Sequence, residues 1–210
     1  MGILGGNVMA GMIFYWVSWF FWVVATFFMN RESKERMKVS IHLLAVMILA
    51  QSKATVAAFN IHLSSLYLFI VVFIEIAKKK QGAKLYILLA SFIVMLAYAS
   101  FLLFELYDPV MVMFSRNLMV AGIVCFICVL LQAGKIERFY ILIIGMLQGE
   151  FLFAMILNEI GFSYPIGGER FLDALSSASF SLFFWNLCEW LFYFIEQNLN
   201  REIRGKQKST

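Results

Sequence analysis

Few residues in this chain could do chemistry, and most of them sit inside strongly apolar runs. An ionisable group at membrane depth is costly, so each is a functional candidate until explained. Arg116 and Glu150 stand out. Counted from Pro109 at 1.5 Å per residue, Arg116 lies about 10 Å into its run, and Glu150 about 12 Å in from the same end of the next. Matching depth on neighbouring antiparallel helices predicts an Arg116–Glu150 ion pair, with Asn117 and Gln148 beside it. Two roles are open to such a pair. It can lock two helices together, which we favour because buried pairs often specify packing, or it can form a polar site for a substrate or a proton. Asn186 and Glu189 stand three residues apart, hence on one helix face. They could line a vestibule, but such groups more often hydrogen-bond a neighbouring helix.

The remaining candidates point to packing. Gly145 and Gly149 form a close-approach motif, and Ser177 and Ser181 give a small-residue face. Trp16, Trp19 and Trp22 recur every three residues and would face lipid or a partner. Cys125 and Cys128 make a C-x-x-C, but no second pair and no nearby His completes a metal site. His42 and His62 stand apart from acids and cysteines. Glu75 precedes Lys78 and Lys79 by three and four residues, so local pairing accounts for it. No metalloprotease, phosphate-binding or paired-aspartate motif occurs. Retinal proteins also have seven helices but need a Schiff-base lysine in the last, and no lysine lies between Lys135 and Lys206. The expectation is a chain with no cofactor, no metal and no catalytic residues.

The elements that must position these groups follow from composition. The 210 residues are 62% hydrophobic and 14% charged. A soluble domain is roughly half apolar and about a quarter charged, so the bilayer must act as this chain's solvent. The aromatic content suits lipid-facing and interfacial positions. The fold class expected is all-α, a polytopic bundle of seven transmembrane helices forming one domain. The helices are expected at about 8–29, 39–56, 59–77, 85–104, 110–131, 139–157 and 171–195, with a basic tail at 196–210. The apolar start lacks a basic flank and reads as a retained helix, not a cleaved signal. Met1-Gly2 opens like a myristoylation site, but Gly6 stands where Ser or Thr is needed.

The run from Val39 to Ala77 is too long for one span and about right for two short ones. Its polar middle, Gln51-Ser52-Lys53 and then Asn60 and His62, predicts a tight hairpin with Lys53 reaching the surface. Charge supports that reading. With seven helices, Arg31, Lys34, Arg36 and Lys38, then Lys78, Lys79, Lys80 and Lys84, then Lys135 and Arg138, share a side with Arg201, Arg204, Lys206 and Lys208. Fourteen of the 17 basic residues then lie together, which is the cytoplasmic signature. Six helices would set the first two clusters against each other. The net charge of +4 is therefore an orientation signal and not a nucleic-acid footprint.

The first helix carries Tyr15-Trp16-Val17-Ser18-Trp19, then Ala25-Thr26-Phe27-Phe28-Met29 and a charged loop. With the overall length, the short second helix and the seven-span layout, this resembles the YphA family of small membrane proteins of spore-forming, Bacillus-type bacteria. The resemblance implies a bacterial plasma membrane and a role in spore or envelope assembly. It brings no catalytic residues.

Two functions follow from these features. The first is a non-enzymatic multi-pass membrane protein acting through membrane or envelope protein partners. The alternative is a small-molecule transporter or ligand sensor using a polar site between helices five, six and seven. An intramembrane enzyme acting on lipid is a weaker third. The expected orientation has the N-terminus outside and the C-terminus cytoplasmic. Topology reporters fused after Lys53 and after Lys84 should then report opposite compartments; the same compartment from both would remove the hairpin.

Overall fold

A computed structural model of the chain describes residues 10–29, 33–56, 59–108, 110 and 114–208. Seven helices occur among them: α1 (Met12–Phe28), α2 (Lys34–Leu49), α3 (Leu63–Ala77), α4 (Gln81–Tyr107), α5 (Arg116–Leu131), α6 (Lys135–Glu159) and α7 (Glu169–Lys208). Between α2 and α3 lie two short strands, β1 (Lys53–Val56) and β2 (Phe59–His62). Only α4, α6 and α7 are both long and apolar enough to cross a membrane on their own; α1, α3 and α5 are shorter apolar helices.

The helices run alternately up and down. Contacts between their ends show it. Asp173 near the start of α7 bonds to the start of α1. Glu105 near the end of α4 pairs with Arg116 at the start of α5. At the opposite end, Lys79 after α3 pairs with Glu137 at the start of α6. We call the first of these the hairpin end and the second the tail end.

Several boundaries differ from the hydropathy reading. The second helix begins at Lys34, where Glu35 and Lys38 pair at 2.9 Å on its exposed face. It stops at Leu49, and the polar Gln51-Ser52 pair leads into strand. Lys53, Ala54, Thr55 and Val56 pair antiparallel with His62, Ile61, Asn60 and Phe59. The tight turn expected between the two helices is thus a β-hairpin; its tip, 57–58, lies outside the described residues. Helix five begins at Arg116, not at Val110, because Ser115 is extended and its carbonyl accepts from Leu118 and Met119. Pro109 and 111–113 lie outside the described residues, as do Arg31 and Glu32 of the first charged loop and 1–9, with the Met1-Gly2 start and the first turn expected for helix one.

Helix α6 ends in a paired cap. Gly161 takes φ +88°; its N–H reaches the carbonyl of Asn158 and that of Phe162 reaches Leu157. This pattern needs a left-handed residue, and glycine adopts that conformation without steric cost. The chain then folds back over the hairpin end. Ile166 joins Ile61 through a single parallel β-bridge, with Ile166 N–H on Asn60 at 2.8 Å and His62 N–H on Ile166 at 3.0 Å.

The core lies where α4 and α6 pack side by side, along Ile87, Val94, Tyr98, Ile141, Ile144 and Met146, all essentially inaccessible. Gly145 and Gly149 make this contact close. A Cβ on Gly145 would stand 2.6 Å from Val94 Cβ and 2.9 Å from the Ser91 carbonyl; on Gly149 it would stand 2.8 Å from the Tyr98 ring. Gly122 on α5 has open space in the same position. Gly145→Ala should therefore destabilise the detergent-solubilised protein by about 1–3 kcal/mol through overpacking, whereas Gly122→Ala should not. Equal melting temperatures for the two variants would remove the close contact.

Candidate functional site

Three polar clusters tie the helices, and the sequence candidates fall into them differently from the expectation. The first is centred on Glu150. Position 150 is one residue past Gly149, on the α6 face turned to α4, and its side chain is wholly buried. Tyr98 on α4 donates its hydroxyl to one carboxylate oxygen at 3.0 Å, and Tyr164 in the α6–α7 connection donates to the other at 2.9 Å. The backbone of Gly167 offers a further donor. Phe153 holds the Tyr164 ring edge-on at 5.1 Å, and Phe171 packs edge-on against Tyr98 at 6.4 Å.

Arg116 does not pair directly with Glu150. Its Nε donates to Glu105 at 2.7 Å, because α5 starts at Arg116 and leaves this side chain at the hairpin end, facing the last turns of α4. The link to Glu150 is indirect: Arg116 acts on Tyr164 and, at longer range, on Glu150. Asn117 stands beside Arg116 in a shallow polar cleft of about 330 Å³ that Ser115, Arg170 and Asp173 also line. Gln148 is on another face, in a separate groove, and its buried side-chain oxygen has no partner.

The second cluster is at the tail end. Arg138, which the sequence suggested only as a loop charge, is buried. Its Nη1 donates to Asn186 at 2.7 Å and to both Glu189 oxygens at 2.9 and 3.0 Å, and its Nε donates to the Gln132 carbonyl. Lys135 reaches the Asn186 carbonyl, and Trp185 donates to Glu189 at 2.7 Å. Asn186 and Glu189 thus share one partner on the neighbouring helix, as their common face requires.

The third cluster was not anticipated. Asp173 on α7 is buried and accepts from Gly11 N–H and Phe14 N–H, both at 2.8 Å. Helix α1 has no side-chain cap of its own, so an aspartate from the last helix satisfies two of the amides at its start, where a carboxylate also complements the helix dipole. The available signal was an acid close to the start of an apolar run. Ser177 bonds back to the Asp173 carbonyl at 2.8 Å and is half-buried, as is Ser181. The fully buried small residues of α7 are Ala174 and Ala178.

Chemically, the Glu150 cluster holds a carboxyl group by neutral donors, with no exposed surface. Removing one donor and leaving a wholly buried acceptor short of a partner is expected to cost about 1–3 kcal/mol. Tyr98→Phe should lower the melting temperature in an otherwise unchanged chain, and in a Glu150→Gln background it should lower it far less. Additive losses in this double-mutant cycle would mean the contact carries no energy.

The profile of the YphA-like integral membrane protein family matches residues 10–208. The chain is 26% identical over 195 residues to a protein of Bacillus subtilis (strain 168) named uncharacterized protein YphA, covering 93% of this chain and 96% of that one. No solved structure matches. A membrane-type composition, a bundle tied by buried polar clusters and a family match over nearly its whole length establish that this chain belongs to the YphA-like family of integral membrane proteins.

Proposed function

We propose that this is a non-enzymatic multi-pass protein of the bacterial cell membrane that acts by presenting its last helix to a membrane or envelope partner, with spore assembly as one setting. The observation that carries this reading is the shape of α7. Glu189 ties it to Arg138 at the edge of the bundle, and every described residue from Trp190 to Asn198 is exposed. The helix nevertheless continues to Lys208, about 28 Å further at 1.5 Å per residue. Trp190, Leu191, Phe192, Tyr193, Phe194 and Ile195 are each more than 40% exposed, so this segment is apolar on all sides. A helix apolar all round needs something to cover it. The headgroup region can cover one turn of aromatics; the basic continuation through Arg201 and Arg204 then projects from the membrane as an arm.

The same reading has seven crossings, the arm in the cytoplasm and the N-terminus outside. The alternating helix directions and the clustered basic residues support it. The full enclosure of Glu150 supports a locking role for that carboxylate over a transport site.

A photo-crosslinking amino acid placed at Phe192, in cells expressing the full chain, should give a discrete protein adduct. The same group at Phe126, an exposed residue in the middle of α5, should give none. Adducts to lipid alone at both positions would refute the partner reading.

A further inference from the structure

A groove of about 530 Å³ opens on the side of the bundle between α3, α4 and α6. Phe69, Phe92, Met95, Phe151 and Met155 form its walls, and Ile166 of the folded-back connection closes its upper end. This size and apolar character are those of small-molecule sites, in which one or two polar groups fix the ligand's orientation. The groove contains such a group. Gln148 lines it toward the lower end, near the midpoint of α6, and its buried side-chain oxygen lacks a hydrogen-bond partner. Ser65, the other polar side chain in the lining, has committed its hydroxyl to the His62 carbonyl at 2.7 Å.

An unsatisfied amide oxygen in an apolar wall calls for a donor. Phe69, Phe92, Phe151 and Met155 are each 38–50% exposed in the isolated chain. In an integral membrane protein, that side adjoins lipid, not water. No lining residue carries a charge, so a phosphate, a carboxylate or an ammonium would enter without a counter-charge and at a high desolvation cost. The charged phospholipids of the bilayer are poor occupants for that reason. We propose that this groove binds an uncharged lipid bearing a free hydroxyl, of the diacylglycerol type. Rotation of the Gln148 side-chain amide turns Oε1, enclosed in the unliganded chain, into the groove, where the lipid hydroxyl donates to it, and an acyl chain lies between Phe92 and Phe151. The site shares no residue with the α7 arm and stands independently of the partner reading.

The test uses the full chain in vesicles of phosphatidylglycerol and phosphatidylethanolamine. Two probes carry the same diazirine on an acyl chain, one a diacylglycerol and the other a phosphatidylglycerol. The diacylglycerol probe should concentrate its adducts on the peptides holding Phe92–Met95 and Gln148–Met155, and unlabelled dioleoylglycerol should compete. Gln148→Leu should lower that labelling about fivefold, the equivalent of one ordinary hydrogen bond, with no loss of thermal stability. Met155→Trp, which fills the groove without touching Gln148, should lower it as well. Equal labelling by the two probes, or undiminished labelling of both variants, would overturn the proposal; the first result would indicate ordinary annular lipid and the second a lipid held outside the groove.

Discussion

In a hydrocarbon environment no water is at hand to satisfy polar groups, so every buried N–H, C=O and side-chain charge must find its partner inside the protein. The hairpin end of this bundle is built around that requirement. Helices α2 and α3 stop short there, and ten or so residues of non-helical backbone must be accommodated. The hairpin ladder satisfies part of it, and Ile166 adds a single parallel bridge to β2. His62 then bonds through its ring to the Ala50 carbonyl at 3.1 Å, and Leu63 N–H reaches Ser52. The same fold-back delivers Tyr164 and Gly167 to Glu150. Gly167 takes φ +72°, and a Cβ there would stand 2.4 Å from Ser65 Cβ. Only a glycine lets the connection lie this low.

The choice of partners at Glu150 follows from the energetics of buried charge. Bringing Arg116 into direct contact would desolvate its guanidinium as well, and the attraction gained often fails to offset that penalty. Two tyrosines and a backbone amide satisfy the carboxylate with neutral donors. Arg116 keeps roughly a fifth of its side-chain surface accessible and pairs with Glu105, itself part-exposed. At the tail end the same logic gives a different answer. There the arginine is the buried partner, and Glu189 retains about a third of its side-chain surface. Each ion pair thus keeps at least one member partly accessible.

How much of this the sequence discloses depends on whether a feature is local. The seven apolar runs, the break at Gln51–Lys53 and the glycine pair at Gly145 and Gly149 are written in consecutive residues, and the helices appear where such patterns lead. What hydropathy does not separate is a short span from helix plus strand. Thr55 and Val56 are as apolar as a helix would need, and only their pairing with residues 59–60 makes them a strand. Partner choice is not local at all. Tyr98 sits unmarked in an apolar run, and Tyr164 in a loop; each gains meaning only because α6 carries Glu150 between them. Arg138 looked like one more orientation charge, since a basic residue near the end of a run is the commonest sight in such a sequence. Its burial depends on α7 presenting Asn186 and Glu189 at the same level. Asp173 was legible in type but not in role, because its partners are backbone amides more than 150 residues away in the chain.

Helix length connects these features. The 16 and 15 residues of α2 and α3 span about 22–24 Å, short of the roughly 30 Å of a bilayer core, whereas α4 has 27 residues and α6 has 25. With their tail ends held level by Lys79 and Glu137, the shorter pair must finish below the longer one. That shortfall sets the hairpin low enough for the fold-back to reach Glu150. It also ends α3 before it can cover the flanks of α4 and α6, leaving the gap between Phe92 and Phe151 closed above by Ile61 and Ile166. Lengthening α3 by a turn would lift the hairpin away from Tyr164 and fill the groove. The recessed seal over the carboxylate and the groove between Phe92 and Phe151 have one cause, so neither can be altered through helix length without altering the other.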